Sequence, residues 1–429
     1  VLTAASSDGL TGTTSNAFVI LPGTASKLGF VTQPGGGTAT VNWAQQPSVE
    51  VQDSHGNRVV SSTASITLAL TTGTGTLSGT ASANAASGLA TFSGLSLNLS
   101  GTDKVLTASS SGLTSAASNA FTISAGAATR LAFVTQPGGG TAGTVWSTQP
   151  VVHAVDAQGN TVTTYSANIS VALTTGTGTL SGTTTIAASS GVVNYTNLSI
   201  QLSGSNKLLT ATSGALTPAV SNAFTITPGA ANRLGFATQP GGGPAGAVWA
   251  QQPVVEVRDS FNNVVTSSSA LITLTRSSGT GTLSGTTSMN AVGGVATFTN
   301  LTLNLTGSKT LLAASTSLTS ATSSSFTIDP ASATQLAFTT QPGGGVAGAV
   351  WAQQPVVTIR DSLGNTATNA TDSITLAIFS GTGTLSGTVT VNAVAGVATF
   401  SNLNINLSGA KTLRATATGL TNATSSSFN

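Results

Sequence analysis

Gln33-Pro34-Gly35-Gly36-Gly37, followed by Trp43 and then Gln45-Gln46-Pro47, stands in four near copies in a chain of 429 residues. The later copies run from Gln136 to Pro150, from Gln239 to Pro253 and from Gln341 to Pro355. Trp43, Trp146, Trp249 and Trp351 are 103, 103 and 102 positions apart. A repeat of that length is a whole domain, so the chain is a tandem array of domains rather than a solenoid of short units. The expected divisions are repeats at 24–126, 127–229, 230–331 and 332–429, preceded by residues 1–23. Residues Val1 to Ile20 match Val105 to Ile123, and Phe428-Asn429 match Phe121-Thr122. The chain is therefore expected to be a segment of a longer array.

Outward from that stretch, the first full copy reads as short strands. Lys27 to Thr32 is a strand that Pro34 and three glycines break. Val49-Glu50-Val51-Gln52-Asp53 alternates apolar and polar residues with period two, as a half-buried strand does. Asp53-Ser54-His55-Gly56-Asn57 reads as a turn. Ser65 to Leu70 places Ile66, Leu68 and Leu70 on one face. Thr76 to Ser78, Leu89 through Leu99, Val105 to Ala108 and Ala120 to Ile123 complete seven strands. No segment has helical periodicity with caps. Seven strands in about 100 residues predict an all-β fold of tandem immunoglobulin-like sandwiches. Linkers such as Leu21-Pro22-Gly23, Ala125-Gly126, Thr227-Pro228-Gly229 and Asp329-Pro330 are short, and three hold a proline. They predict a semi-rigid extended rod, rising roughly 35–45 Å per domain.

Val-x-Val-x-Asp-x-x-Gly-Asn at Val49–Asn57, with Gly88-Leu89-Ala90-Thr91-Phe92 later in the repeat, resembles the bacterial Ig-like domains of the invasin and intimin type. The resemblance implies a surface-exposed stalk on a bacterial cell that holds a binding tip away from the envelope.

Composition narrows the function classes. Charged residues are 5% of the chain, against a usual ~25%. The net charge is +2 and the few Lys and Arg are scattered, which leaves no nucleic-acid footprint. There is no cysteine. No apolar run reaches the ~18 residues of a membrane helix. So uncharged a surface is expected to be glycosylated, at sequons such as Asn98, Asn304 and Asn406, or covered by neighbouring chains.

Asp53, Asp156, Asp259 and Asp361 are the acidic residues shared by all four copies, each with Asn57, Asn160, Asn263 or Asn365 four positions on. A calcium site needs six to eight oxygens, and no second acidic position recurs nearby. A carboxylate that opens a turn and accepts backbone N–H bonds is the reading preferred here. The four tryptophans are candidates for packing or for an interface, with sugar stacking as the alternative. Lys104, Lys207, Lys309 and Lys411 are read as solvated edge-strand lysines, with an isopeptide crosslink as the alternative. His55 and His153 have no partner constellation for acid–base or triad chemistry. No catalytic, cofactor or metal residue is assigned.

The sequence thus points to a non-catalytic, extracellular and bacterial fibre or stalk that associates with copies of itself. Two alternatives stand beside it: an adhesin for glycan or protein ligands, and an accessory array of a larger extracellular enzyme.

Overall fold

The computed structural model describes residues 1–429, and every regular element in it is a β-strand. The chain divides into two compact units, Val1–Thr227 and Pro228–Asn429. The first holds a short hairpin, Thr3–Ala4 with Thr13–Thr14, and two sandwiches. The second holds two sandwiches. Buried apolar cores run from Leu28 to Ile123, Leu131 to Ile226, Leu234 to Ile328 and Leu336 to Ala415.

The first sandwich stands for the first three; the larger sheet of the fourth orders Thr390–Asn392, Ser373–Ser380, Thr412–Thr416 and Ala423–Thr424. The smaller sheet of the first sandwich orders Lys27–Thr32, Ser48–Gln52 and Leu89–Thr91, all antiparallel. Its larger sheet orders Gly37–Thr38, Phe121–Ser124, Gly101–Ser109, Ser65–Thr72 and Ser82–Asn84, with Ala116–Ala117 on the flank of Gly101–Ser109. The period-two pattern decides which side chains enter the space between the sheets. Val49 and Val51 from one sheet meet Ile66, Leu68, Leu106 and Ala108 from the other, none more than 3% exposed.

The Pro-Gly-Gly-Gly segment is where the first strand changes sheets. Lys27–Thr32 pairs in the smaller sheet, and five residues on Gly37–Thr38 lies parallel to the last strand in the larger one. The crossing brings Gly36 against the last strand's backbone. It has φ +68°, and a Cβ there would lie 2.3 Å from the Thr122 carbonyl oxygen. Gly139 and Gly242 stand in the same place, at 2.2 and 2.1 Å from Thr225 and Thr327. Only glycine tolerates both the left-handed backbone and the contact.

The long run from Leu89 to Leu99 is not one strand. It breaks at Phe92: Leu89–Thr91 pairs with Ser48–Gln52, whereas Ser93–Leu97 pairs with Leu77–Thr80. Gln46 holds this corner. Its Nε2 donates to the carbonyls of Trp43 at 2.8 Å and Leu95 at 3.2 Å, and its Oε1 accepts from the Leu95 N–H at 3.0 Å. The amide thus substitutes for a stretch of missing ladder. Gln149, Gln252 and Gln354 make the same three bonds.

Gly242→Ala is expected to destabilise the third sandwich beyond the ~1–2 kcal/mol of a left-handed backbone, because a carbonyl blocks the new methyl. Gly293→Ala, at φ +59° with nothing within 4 Å, should show the backbone penalty alone. Urea unfolding of the two variants checks this; equal midpoints would mean the close approach is not the constraint.

Candidate functional site: the clasp between domains

In each repeat the turn from the shared aspartate to the asparagine four positions on builds the same object. Asp156 stands at the end of the strand Val151–Val155. Its Oδ1 accepts the backbone N–H of Gln158 and of Asn160, both at 2.9 Å. Its Oδ2 accepts the Gly126 N–H from the linker and the Asn160 Nδ2, both at 2.9 Å. One carboxylate therefore ties the strand, the turn and the incoming linker together. Asp53 does the same with His55, Asn57 and Gly23. Asp259 does so with Phe261, Asn263 and Gly229. Asp361 does so with Leu363, Asn365 and Ala331. The turn itself closes through Gly159, at φ +91°, or Asn262 in the third copy, at φ +70°.

The asparagine carries the bond across to the preceding domain. Within the first unit, Asn160 Oδ1 accepts the Ser100 N–H at 2.9 Å and its Nδ2 donates to the Asn98 carbonyl at 3.1 Å. Within the second unit, Asn365 Oδ1 accepts the Thr306 N–H at 3.2 Å and its Nδ2 donates to the Asn304 carbonyl at 2.9 Å. The sequence shows the recurring asparagine but not this reach, which depends on how one domain sits on the next. The gripped loop is braced in turn, since Asn98 and Asn304 Oδ1 accept the N–H of Thr76 and Thr282 at 2.7 Å. These two sequon asparagines are thus parts of the junction.

The electrostatics fit a clasp. The bond from the Asn57 side chain, then that from the Gly23 N–H, holds Asp53 well below the usual carboxylate range. Burial pushes Asp156 and Asp259 up, but the bonds from Asn160 and Gly126, and from Asn263 and Gly229, outweigh it and leave both lowered. Four N–H groups aimed at one carboxylate present positive dipoles. A calcium ion at the same oxygens would have to displace them.

The other candidates lie elsewhere. Trp43, Trp146, Trp249 and Trp351 are 2–4% exposed. Each meets a phenylalanine of its own domain at 5.1 Å between ring centroids: Phe121, Phe224 and Phe326 on last strands, and Phe428 in the fourth copy. They are packing residues, with no indole face turned to a sugar or a neighbouring chain. The lysines require a correction. Lys104, Lys207, Lys309 and Lys411 are 1–3% exposed, not solvated. Their strand is no edge: Gly101–Ser109 lies between Phe121–Ser124 and Ser65–Thr72. Gly73 makes room for the Lys104 stem, and a Cβ there would sit 2.7 Å from its Cδ. The ammonium groups bond to main-chain carbonyls, Lys104 to Thr74, Lys207 to Thr177 at 2.5 Å, Lys309 to Thr306 at 2.7 Å and Lys411 to Ser408 at 2.9 Å. Burial lowers the pKa of Lys104, Lys207 and Lys309. His55 is exposed in its turn, and His153 Nδ1 lies 2.8 Å from Thr161 Oγ1.

Two outcomes follow from these contacts. Asp156→Ala is expected to destabilise its unit by about 2 kcal/mol, through the loss of charge-assisted bonds. Because the folded carboxylate pKa is depressed, its stabilisation is present above the unfolded value and fades as pH falls below about 4. Thermal unfolding of Asp156→Asn against pH should show a flatter acid limb than the parent chain. Lys207→Met removes a buried cation that has only carbonyl partners and keeps the stem's volume. It is expected to leave the melting temperature unchanged or to raise it; a fall by several degrees would mean the ammonium itself holds the loop.

No protein-family profile matches the chain, and no curated protein matches it in sequence. Solved structures do. FdeC, an adhesin of Escherichia coli, shares 18% identity over 73% of this chain and 100% of its own, with a TM-score of 0.35. Invasin, a bacterial integrin-binding protein, shares 14% over 94% of this chain and 79% of its own, with a TM-score of 0.32. InvD of Yersinia pseudotuberculosis shares 18% over 71% of this chain and 98% of its own, with a TM-score of 0.32. These are bacterial surface proteins with Ig-like domains, the kind of protein that the Val49–Asn57 pattern resembles.

Proposed function

We propose that this chain is a non-catalytic, extracellular stalk or fibre of a bacterial surface, whose task is to hold successive domains in fixed relation and to associate with copies of itself. The clasp carries the reading. An asparagine locked by a buried carboxylate is pre-oriented, so gripping the preceding domain's loop costs little further ordering. The recurring polar residues are engaged in holding turns, linkers and junctions, which is what a mechanical array requires of them.

Self-association is supported by the surface. With 5% charge there is little like-charge repulsion between chains. An exposed valine also precedes three of the buried tryptophans, Val145, Val248 and Val350, at 54, 55 and 56% exposure. They recur at the domain period, as lateral contacts in an ordered assembly would.

Asn160→Ala is expected to leave global stability within about 1 kcal/mol while loosening the junction inside the first unit. Spin labels on cysteines introduced at Ser82 and Thr185 should give a narrow distance distribution in the parent and a broad one in the variant. Equal widths would mean that Asn160 does not hold the junction. Electron microscopy of the purified chain tests the larger reading. Filaments with a repeat of one domain length support a fibre. Dispersed particles that bind a glycan or a cell-surface protein would make it an adhesin instead.

A further inference from the structure

On the larger sheet of every sandwich a β-bulge turns one side chain outward. The register slips between Leu70 and Thr72, Leu173 and Thr175, Arg276 and Ser278, and Ile378 and Ser380. The residues left between them are Thr71, Thr174, Ser277 and Phe379, and all four are exposed. A bulge re-aims a side chain and leaves it outside the ladder. In the first two copies the outward hydroxyl meets a threonine of the neighbouring strand, Thr107 at 2.7 Å and Thr210 at 2.8 Å. The third copy has Ser277 and Leu312 at these places. The fourth has an aromatic ring and a cation, Phe379 and Arg414.

Phe379 is 51% exposed and is the only exposed aromatic residue in the four sandwiches. The exposure belongs to the face, since Thr71 and Ser277 are exposed in sandwiches that another follows within the same unit. The guanidinium carbon of Arg414 lies 3.8 Å from the centre of the Phe379 ring. Arg414 has no ion pair and no hydrogen bond, and its Nε is covered and unpartnered. The two acidic residues of this sandwich are elsewhere. Asp361 is in the clasp. Asp372 stands five residues from Ala377, the strand partner of Arg414, or ~17 Å along an extended strand. The pair is thus a cation without a counter-ion, laid on a ring with half its surface open.

We infer that Phe379 and Arg414 form a binding site for an acidic polysaccharide, one whose sugar rings carry carboxylates. The phenyl ring takes the C–H face of a pyranose. The guanidinium, held on the ring by cation–π attraction, offers its terminal N–H groups as a planar fork to the carboxylate. Stacking orients the fork before the ligand arrives, which lowers the ordering cost of binding. Thr412, Thr416 and Thr424 flank Arg414 on the same face, with hydroxyls that suit those of a sugar. The carboxylate supplies the counter-ion, and this selects an acidic chain over a neutral one. The site does not rest on self-association: loss of binding leaves the fibre reading standing, and failure to form filaments leaves the site standing.

Titration calorimetry of the whole chain with oligogalacturonate, which has a carboxylate on each ring, should show binding. Phe379→Ser and Arg414→Thr each introduce a residue that another copy carries at that place, so folding is kept. Either change is expected to weaken binding about tenfold or more. Thr71→Phe with Thr107→Arg moves the pair to the first sandwich and should add a second site. The methyl-esterified oligomer keeps the rings, loses the charge and should bind about tenfold more weakly. A parent chain that does not bind, or that binds the ester equally well, overturns the inference. Equal binding of polyglutamate would make the pair a contact for acidic peptides instead. Variants that melt lower but bind like the parent would make it a brace of the sheet and nothing more.

Discussion

A single carboxylate, accepting four N–H bonds, ties each domain to the linker that enters it. Asp156 receives donors from its own turn, from the linker at Gly126 and from the side chain of Asn160. Any two of these would hold a turn. All four together fix the rotation of the asparagine amide, which then has one oxygen and one N–H left for the neighbouring domain's loop. The order of dependence runs from charge to turn to linker to junction. A neutral side chain at this position would satisfy fewer of the donors and leave buried N–H groups unpaired.

Inside each domain the corresponding constraint is the crossing of the first strand from one sheet to the other. Gly36 passes so close to the Thr122 carbonyl that no side chain fits. That crossing delivers Trp43 to the end of the core, where it meets Phe121 on the last strand. Gln46 then supplies the polar partners that the interrupted ladder lacks. The glycines, the tryptophan and the second glutamine of the repeated stretch are thus three answers to one problem. A strand that leaves its sheet must find new space, new apolar cover and new hydrogen bonds.

Charge is used sparingly, and the four recurring aspartates and four recurring lysines are buried. Carboxylates and lysines that a soluble domain would spread over its surface are here placed at turns and beneath loops, with backbone groups as their partners. The outward faces carry hydroxyl pairs such as Thr71 with Thr107 and Thr174 with Thr210. Such a surface is hydrated without being repelled by its own copies, which suits the assembly proposed for it.

The sequence by itself determined the repeat, the strands and the turn. Each rests on local physics: a period of 103 residues, a period of two in Val49–Asp53, and an aspartate four positions before an asparagine. It did not determine the break at Phe92, because an apolar run reads alike whether it stays in one sheet or moves between two. It also misplaced Lys104, since a lysine in a polar stretch reads as solvated until the chain folds Gly73 and Gly101 around its stem. Which residues Asn160 would reach, and that Trp43 would face inward, were decided only by the tertiary structure. Both depend on segments about 60 to 80 residues away in the chain, brought close by sheet pairing and by the docking of one domain on the next.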